Sequence, residues 1–367
     1  MTPRLRTNLA LVTLAGIALA ACGGGDDDAA PTTPPETAAS TTSTSTSTTT
    51  LPPTLPPPST PAPVSTTIAP DVLRIPLTGE PVDDESQIPD RPALAVKIEN
   101  SPPARPQSGL NEADIVIEEI INDDITRFAA VFHSQDVDPV GPIRSGRAPD
   151  IVLLEAFDRP LFAWSGGNPG VTALIENSQL TDLSYLKTSG YYRRAGRNAP
   201  HNLYTSTEAM WEKTPDDYAI PPVVLPYLRA GEEIEGEPAT EIEITLDSID
   251  ARWEYNADDG LYYRWQEGSP HNTENSGQVT TKNLVVMAAD YLPSPIDSRT
   301  PDAQMLGSNT VYIFTGGTVR VGTWLRFEST DRYQFFDNLE DLNELRIQPG
   351  RTFIELPRAI EGTVSWS

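Results

Sequence analysis

Cysteine and histidine are nearly absent from this 367-residue chain, which holds one of the first and three of the second. A single thiol, Cys22, allows no internal disulfide, no multi-cysteine metal site and no cysteine–histidine framework. His133, His201 and His271 have no ligand-like spacing, and no EF-hand or dinucleotide fingerprint occurs, so neither a metal nor another cofactor is expected. Positive charge is also scarce: 26 Lys and Arg against 52 Asp and Glu leave a formal charge of -26. Such a surface repels phosphate backbones and excludes nucleic acid as an expected partner. Any anionic ligand would need a locally basic pocket, because charge is screened within about 8 Å at physiological salt.

The longest uncharged apolar run, Leu9 to Leu19, is too short for a transmembrane helix. It follows Arg4 and Arg6 and ends in Leu19-Ala20-Ala21-Cys22, the layout of a secretory leader. Leu-Ala-Ala-Cys resembles the bacterial lipobox, which implies lipidation of the cysteine, the alternative being an ordinary leader with an incidental cysteine. Residues 1–21 are therefore expected to be a lipoprotein signal peptide. Cys22 is then the lipid-bearing anchor of an extracytoplasmic protein held on the cell membrane. Residues 22–70 are rich in Ser, Thr, Pro and Ala, bury little, and are expected to form a disordered stalk with polyproline II character in stretches such as Leu55-Pro56-Pro57-Pro58.

Periodicity begins after Asp71. Ala93–Ile98, Ala113–Ile121, Ile125–Phe132 and Leu161–Trp164 read as strands, while Asp150–Phe157, Val171–Glu176 and the segment after Thr205-Ser206-Thr207-Glu208 read as helices. Pro221 to Glu237 is a proline-rich acidic boundary, and beyond it short strands dominate, with Lys282–Ala289 open between strand and helix. The expected class is α+β. A mixed α/β domain over 71–230 precedes a smaller, mostly β domain over 238–367.

Three groups of residues suggest chemistry. Arg127 shares a strand face with Ile125, Ala129 and Val131, so it needs a partner, and Glu118 or Glu119 on the preceding strand could supply one. An internal ion pair and a ligand contact are both open. Arg144 and Arg147 precede the Asp150 helix and could present two guanidinium forks to a carboxylate or phosphate, or could simply clamp their loop. Tyr191-Tyr192-Arg193-Arg194 followed by His201-Asn202-Leu203-Tyr204 could line a cleft that stacks on sugars, with His201 as an acid or base; a rigid turn is the alternative. Ser165-Gly166-Gly167-Asn168 has no nucleophile-elbow or phosphate-loop pattern and reads as a tight turn.

Ala95-Val96-Lys97-Ile98-Glu99-Asn100, Ala104-Arg105-Pro106-Gln107-Ser108-Gly109-Leu110, Gly141-Pro142-Ile143-Arg144-Ser145-Gly146-Arg147 and Pro200-His201-Asn202-Leu203-Tyr204 resemble the YerB-like bacterial lipoproteins. Gly322-Thr323-Trp324 and Pro349–Ile354 extend the resemblance into the second half. The resemblance implies an exported two-domain lipoprotein and brings no established activity with it. Asn122-Asp123-Asp124 departs from the family pattern of an acidic residue followed by two glycines, which puts any role for that turn in doubt.

Three functions fit these features. The first is binding of an anionic or glycan ligand, such as cell-wall material, by Arg127, Arg144, Arg147, His201, Asn202 and Tyr204. The second is a hydrolase of a glycan or phosphodiester using Glu118 or Glu119 with His201; the third is a scaffold for envelope proteins. A carboxylate within reach of His201 in an open cleft would favour hydrolysis. Oligomeric state has no signature in the sequence. Because Cys22 is the one anchor expected, Cys22→Ala should abolish lipidation and release the protein from the membrane fraction, which cell fractionation measures.

Overall fold

The computed structural model describes residues 72–122 and 125–367; the leader, Cys22, the stalk and the Asp123-Asp124 turn lie outside the described residues. Strand far outweighs helix. β1 (Leu94–Glu99), β2 (Ile115–Asn122), β3 (Ile125–Phe132), α1 (Pro149–Leu154), β4 (Leu161–Trp164), α2 (Pro169–Glu176), β5 (Thr181–Ser184) and α3 (Thr207–Trp211) make up the N-terminal half. Short β strands then follow to the C-terminus, and Asn283–Met287 resolves the 282–289 ambiguity as strand.

The two halves marked off by sequence share one eleven-stranded sheet. Its N-terminal part runs β2-β3-β1-β4-β5, and Thr352–Leu356 lies parallel to β2 on one side and to Asn283–Met287 on the other. The long hairpin Gly307–Thr315 and Thr318–Arg326 continues the sheet outward. A second sheet of six strands, including Glu241–Leu246, Ile249–Asn256 and Leu261–Gln266, belongs to the C-terminal half alone. Its strand Glu241–Leu246 alternates exposed and buried residues, as its polar–apolar sequence requires of a sheet with one wet face.

Central strands β1 and β3 are buried on both faces, and their alternating side chains enter two cores. Ala95, Ile117, Ala129 and Val131 meet Leu153, Leu154, Phe157 and Ile175 on the helical side. Val96, Ile98, Phe128 and Ala130 meet Ile242, Ile244, Trp253 and Tyr262 on the side of the second sheet. The helices are short and capped by side chains where the sequence offers one. Asn168 accepts from the Val171 amide at the start of α2, and Ser206, rather than the Thr205 of the expected capping box, accepts from Ala209 at α3.

Arg264 fastens the two sheets. Fully buried, it donates to Glu118 Oε2 on β2 at 2.7 Å, to Gln266 and to His271 Nδ1, and lies 3.4 Å from Glu355 on the neighbouring strand. Because a guanidinium only donates, His271 Nδ1 must accept, which leaves the proton on Nε2 to donate to Gln107 Oε1 at 2.9 Å. Burial first, and then Arg264, hold the His271 pKa well below its ordinary value. The imidazole is thus neutral when folded and protonates in the unfolded chain below about pH 6.5, so its contribution is present above that pH and lost below it. In His271→Gln, the stability advantage of the wild type should shrink on acidification below pH 6.5 by up to about 1.4 kcal/mol per pH unit, read by denaturant titrations across pH.

Candidate functional site

The carboxyl ends of β1 and β4 and the start of β3 meet the loop Ile143–Ala148 at one edge of the N-terminal sheet. Register aligns Glu99 on β1, Arg127 on β3 and Glu119 on β2 in one row, with their side chains on the helical face. Lys97, two residues before Glu99, occupies that face as well.

The expected partner of Arg127 goes elsewhere. Lys97 is fully buried, binds the Glu119 carboxylate and donates to Asp150 Oδ1 at 2.6 Å. Glu118 points to the opposite face, where Arg264, Thr126 and Asn100 hold it. Among the described residues Arg127, 7 % exposed, therefore has no ion pair; its Nη1 donates to the Ser145 carbonyl at 2.8 Å and its buried Nε finds no partner among them. Burial first, then the charges of Arg147 and Arg144, push its pKa down to about 9, which still leaves it charged at neutral pH.

Arg144 and Arg147 stand beside it. Arg144 Nε is 3.2 Å from Glu99 Oε1 but poorly aligned to donate; the Arg147 amide donates to Asp150 Oδ2, while its guanidinium, among the described residues, donates only to the neighbouring Gly146 carbonyl and leaves its buried Nε unpaired. Burial also lowers the Arg147 pKa, against the pull of Glu119, Asp297 and Asp150. Together the three line a cleft of about 670 Å³ whose wall includes, among the described residues, two more arginines, Arg193 and Arg299, and one acidic residue, Asp297. That is an excess of positive charge on a chain of net charge -26. Another groove, of about 750 Å³ beside Pro221 and Pro222, also has arginines, but Arg74 is tied to the Gly79 and Leu228 carbonyls and Arg332 and Arg346 to Glu344.

The remaining sequence candidates do not line this cleft. Tyr204 is fully buried, stacked on Tyr192. Asn202 accepts from Arg193 and donates to the Arg197 carbonyl, so it fixes its own loop. His201 forms no hydrogen bond with Glu118 or Glu119; its Nδ1 lies 2.9 Å from Oε2 of Glu99, a carboxylate also bound by Ser101 and paired with Arg144. Among the described residues no group of three or more His, Cys, Asp or Glu is placed to hold a metal ion.

Several wall residues carried no strong signal in the sequence. The loop after β4 places Ser165, Gly166 and Gly167 on the wall, where Gly166 has a φ of +104° and neither glycine amide donates a hydrogen bond to a described residue. Tyr185 and Leu186, just after β5, form the wall's exposed apolar part. A Cβ on Gly166 would lie 3.2 Å from Cδ1 of the exposed Leu186, which can yield, so it is the positive φ that requires glycine at this turn.

Family models place this arrangement. Residues 77–219 match "Protein of unknown function (DUF3048) N-terminal domain", and residues 242–354 match the C-terminal domain of the same family. The chain belongs to the YerB-like DUF3048 family. It is 29 % identical over 295 residues to the Bacillus subtilis (strain 168) protein named "Putative lipoprotein YerB", covering 77 % of this chain and 86 % of that one. The crystal structure of the Bacillus subtilis YerB protein superposes with a TM-score of 0.69 at 26 % identity, over 80 % of this chain and 99 % of that chain. The family supplies the two-domain layout; Arg127, Arg144 and Arg147 lie in the N-terminal match, while the wall residues Asp297 and Arg299 lie in the C-terminal one.

The unpaired guanidinium groups set a stability order. Arg147→Ala removes a charge that repels Arg127 but is attracted by Glu119, Asp297 and Asp150, and strands no acceptor beyond its neighbour's carbonyl, so the opposed effects should leave the change in unfolding free energy under about 1 kcal/mol. Arg127→Ala also empties buried volume and frees the Ser145 carbonyl, and should cost more. Chemical denaturation gives the ranking; the reverse order would make Arg147 the structural member.

Proposed function

We propose that this protein is a lipid-anchored envelope protein that binds an anionic ligand in the arginine cleft. The anchor rests on the Cys22 context and on the lipoprotein name of the Bacillus relative. The observation that carries the binding reading is Arg127: a charged, buried side chain with a free Nε and two like charges beside it. Burying such a group while the nearby carboxylates Glu99 and Glu119 are committed to other cations is costly, and an anion in the cleft would offset that cost for all three arginines at once. Cell-wall material is one source of suitable acidic groups. The aromatic residues expected to stack on sugars are not on the wall, so charge rather than ring stacking is the basis of recognition.

Hydrolysis is the second reading, favoured by the Glu99–His201 pair. Neither residue lines the cleft, and Glu99 is shared with Arg144 and Ser101, so the geometry supports binding better. The test is calorimetric titration of the full chain at low ionic strength with inorganic phosphate, sulfate and acetate. Saturable binding of at least one anion is expected, weakened tenfold or more in R144A/R147A. No saturable binding by any of the three would sink the proposal.

A further inference from the structure

The cleft is two-sided in chemistry, and its sides specify more of the ligand than a negative charge. On one side stand Arg127, Arg144 and Arg147, whose buried Nε groups have no hydrogen-bond partner among the described residues, and Gly166 and Gly167, whose amides donate to no described residue, at the start of the turn that leads into α2. A carboxylate carries one charge on two oxygens in one plane, and two guanidinium forks saturate it. Three guanidinium groups and two amides offer more donors than that. A phosphate monoester presents three non-bridging oxygens in a pyramid and a charge of about -1.5 to -2 at neutral pH. Asn168 caps α2 with its side chain, so the positive end of that helix stands behind the same turn.

On the other side the wall is apolar. Leu186 is 75 % exposed, the largest exposure of any large hydrophobic side chain among the described residues, and it packs against Gly166 beside the free amides. Tyr185 adjoins it, and Ile125 stands two residues from Arg127 on the same strand face. A small inorganic anion would leave this surface wet. An apolar substituent on the phosphate would cover it and gain affinity with each methylene removed from water.

We infer that the site takes a phosphate monoester bearing an apolar substituent, with the phosphate on Arg127, Arg144, Arg147 and the Gly166-Gly167 amides and the substituent on Tyr185 and Leu186. This rests on the anion-binding reading above. It predicts a rank order that neither charge nor hydrophobicity alone produces. Calorimetric titration of the full chain with octyl phosphate, methyl phosphate and octanoate supplies the test. Octyl phosphate should bind at least tenfold more tightly than either of the others. Leu186→Ser, at an exposed position, should weaken octyl phosphate fivefold or more and leave methyl phosphate within about twofold. Octanoate equal to octyl phosphate would replace phosphate by carboxylate, and methyl phosphate equal to octyl phosphate would remove the apolar contact; either result overturns the inference and leaves anion binding standing. Failure of all three probes together with sulfate would overturn the anion-binding reading itself.

Discussion

A buried lysine determines how the charges of the N-terminal half are arranged. Lys97, with no exposed surface, requires compensation on all sides, and it takes both Glu119 from β2 and Asp150 from α1. That double pairing ties α1 to the sheet and commits Glu119, one of the two carboxylates, with Glu99, that register places opposite Arg127. The arginine keeps a carbonyl partner and two neighbours of its own sign. A charge imbalance at the cleft is therefore a consequence of how the core beneath it is neutralised.

On the opposite face, Arg264 plays the corresponding part with Glu118 and Glu355. Adjacent residues of β2 thus point their carboxylates to opposite sides, one fixing a helix and the other fixing the second sheet. Burying so many ionised groups gives little net stability, but removing one partner leaves a desolvated charge behind. Such networks hold the strand ends in place. The arginines and the glycine turn are mounted on those ends, outside the carboxyl termini of parallel strands, the position where open sheets with parallel strands commonly bind ligands.

Much of the local structure was legible in the sequence. Leu161–Trp164 is a strand with the expected limits, and the β2–β3 hairpin follows the two apolar runs around Asn122 to Asp124. The join between the halves was not legible, because the pairing of Thr352–Leu356 with β2 is a contact between distant segments whose short apolar sequences fit many partners. Arg127, Arg144 and Arg147 could be grouped from their positions, since an arginine on an apolar face and two in one glycine-bounded loop are unusual. Neither carboxylate offered for Arg127, Glu118 or Glu119, pairs with it, because the competing cations Arg264 and Lys97 lie on other strands. Tyr204 and Asn202 are typical cleft residues by type, yet here they stack and clamp within their own loop. Leu186 could have been found only by noticing an apolar residue just after a strand with nothing in sequence to cover it.

The central claim is that these guanidinium groups are held short of partners so that an anion can complete them. Its most direct measurement is arginine Nε–Hε NMR of the full chain during titration with inorganic phosphate. The Arg127 and Arg147 signals, assigned through R127K and R147K, should move together and saturate at one common concentration, while that of Arg264, already bound to Glu118, stays fixed. If the Arg127 and Arg147 signals stay still while phosphate binds elsewhere, or if all arginines drift together without saturating, the cleft is a structural by-product of the lysine below it and not a binding site.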